Sequence, residues 1–304
     1  MGYSSRYHAA SLTAVFLALA IGILIGSQVG GDVLNNTRKD LESSLTGDLT
    51  EARSQIDELE TERGWSTDFG NGVLPALTQK QLAGDRVGLI GLGSLPSDIT
   101  DSVGTALQST GAKLAAVGVI RQPPDLEELS ESLAGTKLSA VDKNPEVLED
   151  YGMIVGRQMV NGGRILTVTQ PELMSQSSGE FGNLDALIVY RADQSEIDPD
   201  LADEVDALDI GLVEGADSTA ARVVGVEQVG TDPSSIGFFA DQNVTSVDNI
   251  NQPAGKVSLV FAIAGAEGSF GVKDDADRLL PELLDPLPAA KEAAPQGKNN
   301  EKKG

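Results

Sequence analysis

The chain carries few side chains able to do chemistry on their own. It has one histidine, His8, no cysteine, and four methionines, at positions 1, 153, 159 and 174. Without cysteine there are no disulfides, zinc–thiolate centres, iron–sulfur clusters or thiol nucleophiles. His8 lies at the mouth of an apolar run. The rest of the chain is therefore denied Ser-His-Asp catalysis, imidazole metal sites and histidine general bases. The methionines form no M-x-M or M-x-x-M cluster, and Met153 and Met159 read as helix core residues. Carboxylates could serve as acid and base, but no pair stands out. Asp198, Asp200, Asp203, Glu204, Asp206 and Asp209 share a stretch whose Leu201, Val205 and Leu208 face inward. They read as the solvated side of a helix. Nothing matches a calcium loop, which needs oxygen ligands at alternate positions around a glycine turn. One glycine-rich turn, Gly91-Leu92-Gly93-Ser94-Leu95-Pro96, sits where a dinucleotide fingerprint would. Proline closes it, and the next apolar run ends in Ile120-Arg121-Gln122 without an acid, so it reads as a tight strand-to-helix turn. No catalytic or cofactor-binding residue is assigned, no cofactor is expected, and metal ligands stay unknown. The chain reads as non-enzymatic.

These side chains are positioned by alternating strands and helices. Short apolar runs bounded by turn residues predict buried strands at Arg86–Leu92 (RVGLIGL) and Lys113–Ile120 (KLAAVGVI). Arg164–Thr169 (RILTVT), Leu184–Tyr190 (LDALIVY), Ile210–Val213 and Val257–Ile263 (VSLVFAI) are expected to follow as strands. Ser97 is expected to N-cap a helix through Leu107. Further helices are expected at 125–133, from Pro145 to Val160, and near 172–178, 197–208 and 218–223. A last one is expected over Asp274–Leu284, where Asp274, Asp275 and Asp277 suit the positive end of the helix dipole. The pattern predicts an α/β domain at 84–285 with a mainly parallel sheet and flanking helices. Gly64 and a loop around Gly70, Asn71, Gly72 and Pro75 are expected to make a linker at 64–83. The tail at 286–304 is polar and expected to be disordered.

Ahead of the domain, Ala9–Val29 is apolar, and no formal charge falls between Arg6 and Asp32. About 20 helical residues cross a hydrocarbon core of ~30 Å, so residues 1–31 read as a transmembrane helix and anchor. A cleaved signal peptide is the alternative, although no A-x-A spacing follows Ile25. Arg6 and the terminal amine place the N-terminus in the cytoplasm and the domain outside. Ala10, Ala14, Ala18, Gly22 and Gly26 make a strip of small residues along one helix face, suited to helix packing in a membrane. An alanine- and glycine-rich composition gives the same spacing without a contact. Leu45, Leu49, Ala52, Ile56 and Leu59 then follow in the 4-3-4-3 spacing of a short coiled coil, in a stalk at 32–63. Leu34 and Leu41 join that register through a stutter. An amphipathic helix lying on its own domain is the alternative. Strip and seam together predict a parallel homodimer or higher homo-oligomer.

The formal net charge is −24 and the pI about 4.2. Phosphates are repelled by such a surface, so no nucleic-acid partner is expected, nor is a domain lying flat on anionic lipid. Aromatics are 4 % of residues, too few for base-stacking platforms.

The run His8-Ala9-Ala10-Ser11-Leu12-Thr13-Ala14-Val15-Phe16-Leu17-Ala18-Leu19-Ala20-Ile21-Gly22, with a coiled coil after it, resembles the start of the actinobacterial copper transport outer membrane protein family, of the mycobacterial copper transport protein B type. Ser246-Val247-Asp248-Asn249-Ile250 and Gly255-Lys256-Val257-Ser258-Leu259-Val260-Phe261-Ala262-Ile263 resemble that family's C-terminal part. The likeness extends over most of 7–284. It implies a membrane-anchored cell-envelope protein in copper export or homeostasis, with channel activity attributed to the family. It brings no copper ligand motif, so copper enters as a transported ion. Cu(I) takes Cys or Met and Cu(II) takes imidazole with nitrogen or oxygen donors, so a tight copper site in one chain is not expected. A transmembrane barrel needs strands of about ten residues alternating apolar and polar, and these short buried runs do not fit one. The alternative function is a non-enzymatic envelope scaffold or regulator that binds another envelope or division protein.

Overall fold

The computed structural model describes residues 5–282, with the backbone alone for 5, 6 and 27–40. The chain opens with one helix, α1, Ser5–Thr78, and divides into two units after Ser66. In the first unit α1 carries Tyr7–Gly26, 20 residues of mean hydropathy 2.4 with none buried. Leu41, Leu45, Leu49, Ile56 and Leu59 are also exposed on it. The side chain of Leu34 lies outside the described residues.

In the second unit, the stretch expected as a linker is helical up to Thr78, with Pro75 inside the helix. Leu74 and Thr78 are buried, and Thr78 Oγ1 lies 2.7 Å from Ser109 Oγ. Gly70 rests on Pro253; a Cβ at 70 would fall 2.6 Å from the proline Cβ. Docking on the domain overrides the poor helix propensity of glycine and proline.

Strands β1 (Arg86–Leu92) and β2 (Lys113–Ile120) stand where expected, joined by helix α2 (Ser97–Leu107). Pro96, not Ser97, takes the N-cap position of α2, and the Ser97 hydroxyl donates to Asp98 instead. Helix α3 (Leu126–Ser132) is capped by Asp125, whose carboxylate accepts from Glu128 N at 3.1 Å. Helix α4 (Pro145–Asn161) starts with an Asn144 cap and proline in its first turn. There follow α5 (Arg164–Leu173), β3 (Met174–Gly179), β4 (Ala186–Arg191), α6 (Pro199–Asp217), β5 (Arg222–Val226), α7 (Ile236–Asp241), β6 (Thr245–Val247), α8 (Pro253–Ile263) and β7 (Ser269–Phe270).

Several expected elements change type. The run RILTVT opens α5 and is not a strand; Leu166, Thr169 and Leu173 are buried at helical spacing. The stretch expected to be helical at 172–178 is largely β3, which pairs antiparallel with β2. Ile210–Val213 lies inside α6, a longer helix than expected, and 218–223 leads into β5. The run VSLVFAI belongs to α8, a helix buried nearly all round. A short apolar run of that kind does not distinguish a buried strand from a buried helix. No helix forms over 274–282: Asp277 Oδ2 accepts from Ser269 N at 2.9 Å, and Asp277 N donates to Ser269 O at 2.9 Å. These bonds tie the segment to the sheet edge. Residues 283–304, with the expected tail, lie outside the described residues.

The strands form one open sheet in the order β3-β2-β1-β4-β5-β6-β7, parallel apart from β3. Helices α3 to α7 contribute to the apolar core on one face, and α2 and α8 to that on the other. Helices α6 and α8 each advance the chain by one strand in the same direction, but from opposite faces. The last crossover therefore has the opposite hand to β4–α6–β5, a rare arrangement. On the first face α4 and α6 touch backbone to backbone. Gly152 of α4 meets Gly211 of α6, Gly156 meets the backbone of Leu212 and Ala216, and Gly215 meets that of Met153; a Cβ at 156 would lie 2.9 Å from Ala216 N and overlap Leu212 O. Glycine is required there by the closeness of the helices.

Candidate functional site at the carboxyl edge of the sheet

The strand order creates a switch point between β1 and β4. Helix α2 leaves β1 on one face and α6 leaves β4 on the other, so the carboxyl ends of these strands part. In open α/β sheets ligands bind in that crevice. Here it holds the protein's own side chains.

The turn after β1 is tight, as its sequence implies. Gly93 has φ +88°, donates its N–H to Ile120 O at 3.1 Å, and leaves no room for a side chain beside Gln122. Gln122, just past β2, donates Nε2 to Asp209 Oδ1 at 2.6 Å and accepts from Gln194 Nε2 at 3.2 Å. Gln194 also donates to Ala192 O at 2.8 Å. Its Oε1 is buried and has no partner among the described residues. Arg191, the last residue of β4, donates Nε to Asp209 Oδ2 at 2.9 Å and pairs with Asp206. Its guanidinium sits 4.2 Å from the centre of the Phe238 ring.

Asp209 corrects the reading of its helix as wet on that side. Asp200, Asp203 and Asp206 are exposed, but Asp209 is fully buried. Burial pushes its carboxyl up from 3.8 to about 7, against the opposing pull of Arg191 and Gln122. An amide, amide, carboxylate and guanidinium thus form one ladder from the β2 end through α6 to β4. Such a ladder ties the ends of β2 and β4 to α6 across the crevice. The sequence signal for it was thin: Gln122 and Gln194 look like ordinary loop residues until β2 and β4 are placed on either side of β1.

A second cluster closes the ends of β5 and β6. Glu227 is fully buried and accepts from Ser234 Oγ at 2.8 Å, Ser235 N at 2.7 Å and Ser235 Oγ at 2.9 Å. It also pairs with Lys273 Nζ, which donates to Thr231 O at 2.6 Å. Asp248 accepts from Val272 N at 2.9 Å and from Lys273 N at 2.6 Å. Residues 271–273 are therefore strapped across the sheet edge by two buried carboxylates. A cavity of about 620 Å³ lies at the other, amino edge, lined by Asp217, Arg222, Asn243, Thr245, Glu267 and Asp277 among others. It shares none of the residues of the carboxyl-edge ladder.

The methionines serve the core: Met159 and Met174 are buried, and Met153 is half-buried on α4. Among the described residues no group of three His, Cys, Asp or Glu could hold a metal ion. Ala14, Ala18, Gly22 and Gly26 stand exposed on α1, as do Leu45, Leu49, Ala52, Ile56 and Leu59; the carboxyl-edge residues are a separate set.

No curated protein matches the chain. The family described as copper transport outer membrane protein, MctB, matches residues 3–281. That span takes in the apolar helix, the ladder and the strap, including the Ser246–Ile250 and Gly255–Ile263 segments. Family and apolar helix both point to association with a membrane. The chain belongs to the copper transport outer membrane protein family, MctB.

Proposed function

We propose that this protein is a non-enzymatic, membrane-anchored envelope protein whose α/β domain serves copper export or homeostasis from the extracytoplasmic side, through a partner. The observation that carries the anchored reading is Tyr7–Gly26, 20 residues of mean hydropathy 2.4, all of them exposed. In water that surface would cost on the order of 25 cal/mol per Å² of apolar area, and a bilayer removes the cost. The indirect role in copper follows from the ligand inventory. The sulfur donors near the domain are spent on packing, and the switch-point crevice is filled by Gln122, Gln194 and Asp209.

Two measurements test the reading. Carbonate extraction and protease access in intact cells report anchoring and sidedness; release into the supernatant refutes the anchor. Titration of the detergent-solubilised chain with Cu(I) and Cu(II) against a competing chelator reports the copper chemistry. Weak or no binding, together with copper sensitivity of a deletion strain, supports the indirect role. Stoichiometric submicromolar binding refutes it, and normal copper tolerance of the deletion strain favours a scaffold without a copper role.

A further inference from the structure

We infer that the stalk face of Leu45, Leu49, Ala52, Ile56 and Leu59 binds a second copy of this chain, parallel and in register, with reciprocal ion pairs between Asp48 and Arg53. The spacing sets the register: Leu49 and Ile56 fall at a, and Leu45, Ala52 and Leu59 at d. Asp48 then falls at g and Arg53 at the e position five residues later. In a parallel dimer those positions flank the seam and face each other across it, so symmetry gives two ion pairs. An antiparallel pair sets g against g and e against e, and forfeits both. Within one chain neither Asp48 nor Arg53 has an ion-pair partner among the described residues.

The seam is bare in the single chain: Leu45, Leu49, Ile56 and Leu59 are 54 to 64 % exposed. Two heptads are few for a free coiled coil. The inference therefore rests on the anchored reading, because confinement in one membrane raises the effective concentration of the second stalk. A partner of another sequence would have no reason to match the Asp48 and Arg53 positions, whereas a second copy matches them by symmetry.

A chain without cysteine makes the test direct. Leu45→Cys and Leu59→Cys are introduced separately into the full chain, with Ser54→Cys on the outer face as control, and native membranes are oxidised. Each seam variant should give a disulfide dimer at least ten-fold more abundant than the control. Crosslinking that needs both variants mixed overturns the parallel register, and equal crosslinking at Ser54→Cys overturns the interface. Asp48→Arg should weaken the crosslink about ten-fold by loss of two exposed pairs and gain of two repulsions. Asp48→Arg with Arg53→Asp should restore it; failure to restore overturns the ion pairs. Carbonate extraction of the same membranes separates the two readings. Protein that stays in the pellet without crosslinking refutes the dimer, and protein that leaves the pellet refutes the anchor, with the crosslink then read in the soluble fraction.

Discussion

Gly156→Ala tests the closest contact in the fold. In an isolated helix the change is favourable by about 1 kcal/mol, because glycine has the greater backbone entropy to lose. In this protein the new Cβ would lie 2.9 Å from Ala216 N and would overlap Leu212 O. Carbon contacts are comfortable at about 3.5–4.0 Å, so α4 and α6 must separate by roughly 1 Å. Val155, Met159, Leu208 and Leu212 are buried around that contact and would lose contacts together. Overpacking of this kind costs about 1–3 kcal/mol, and more where backbone must move. The backbone here is hydrogen-bonded helix on both sides, so a cost of about 3 kcal/mol is expected, less the helix gain. The net loss is about 2 kcal/mol, or a fall in Tm of roughly 4–8 °C for a domain of this size. Calorimetry of the full chain in detergent is the suitable assay, because the single tryptophan, Trp65, is exposed on α1 and reports poorly on the domain. Gly104→Ala on α2 is the control: a Cβ there meets nothing within 4 Å, so Tm should rise by a few degrees. Gly156→Ala at or above the wild-type Tm, with Gly104→Ala behaving as stated, would show that the helices do not touch as described.

Asp209 makes stability fall with rising pH. Its folded value, about 7, lies above the ordinary 3.8, so its contribution is full below about pH 4 and is lost as pH climbs through about 7. Asp209→Asn should therefore gain on wild type by on the order of 3 kcal/mol between about pH 5 and about pH 8; a constant difference in Tm across that range would sink the assignment. Glu227→Ala should cost about 3–5 kcal/mol by leaving the Lys273 ammonium without its carboxylate. The double variant with Lys273→Met should recover a good part of that loss, and additive losses in Tm would contradict the pairing. Asp248→Ala should speed hydrogen exchange at the amides of Val272 and Lys273 about ten-fold or more, with the α4 amides unchanged; unchanged exchange at 272 and 273 would mean that the strap is held by something else.

Much of this protein is settled by local sequence. An apolar stretch as long as Tyr7–Gly26 is a one-dimensional pattern, and β1 and β2 occupy the very runs RVGLIGL and KLAAVGVI. Asp125 and Asn144 cap α3 and α4 with side chains that bond their own neighbours. The α/β class follows from that alternation. Elements whose identity depends on what surrounds them were not legible. A run such as VSLVFAI has no polar face to reveal its period, because as a helix it is buried nearly all round, against α2 and the sheet. RILTVT has β-branched residues suited to a strand, yet Leu166, Thr169 and Leu173 are buried at helical spacing. Asp209 looks like its acidic neighbours along the chain. It is set apart because Gln122 and Arg191, 87 and 18 residues away, arrive beside it through the strand order. Local hydrogen bonds and periodicity are written in neighbouring residues; burial, and the pKa shifts and close helix contacts that come with it, depends on which distant segments meet.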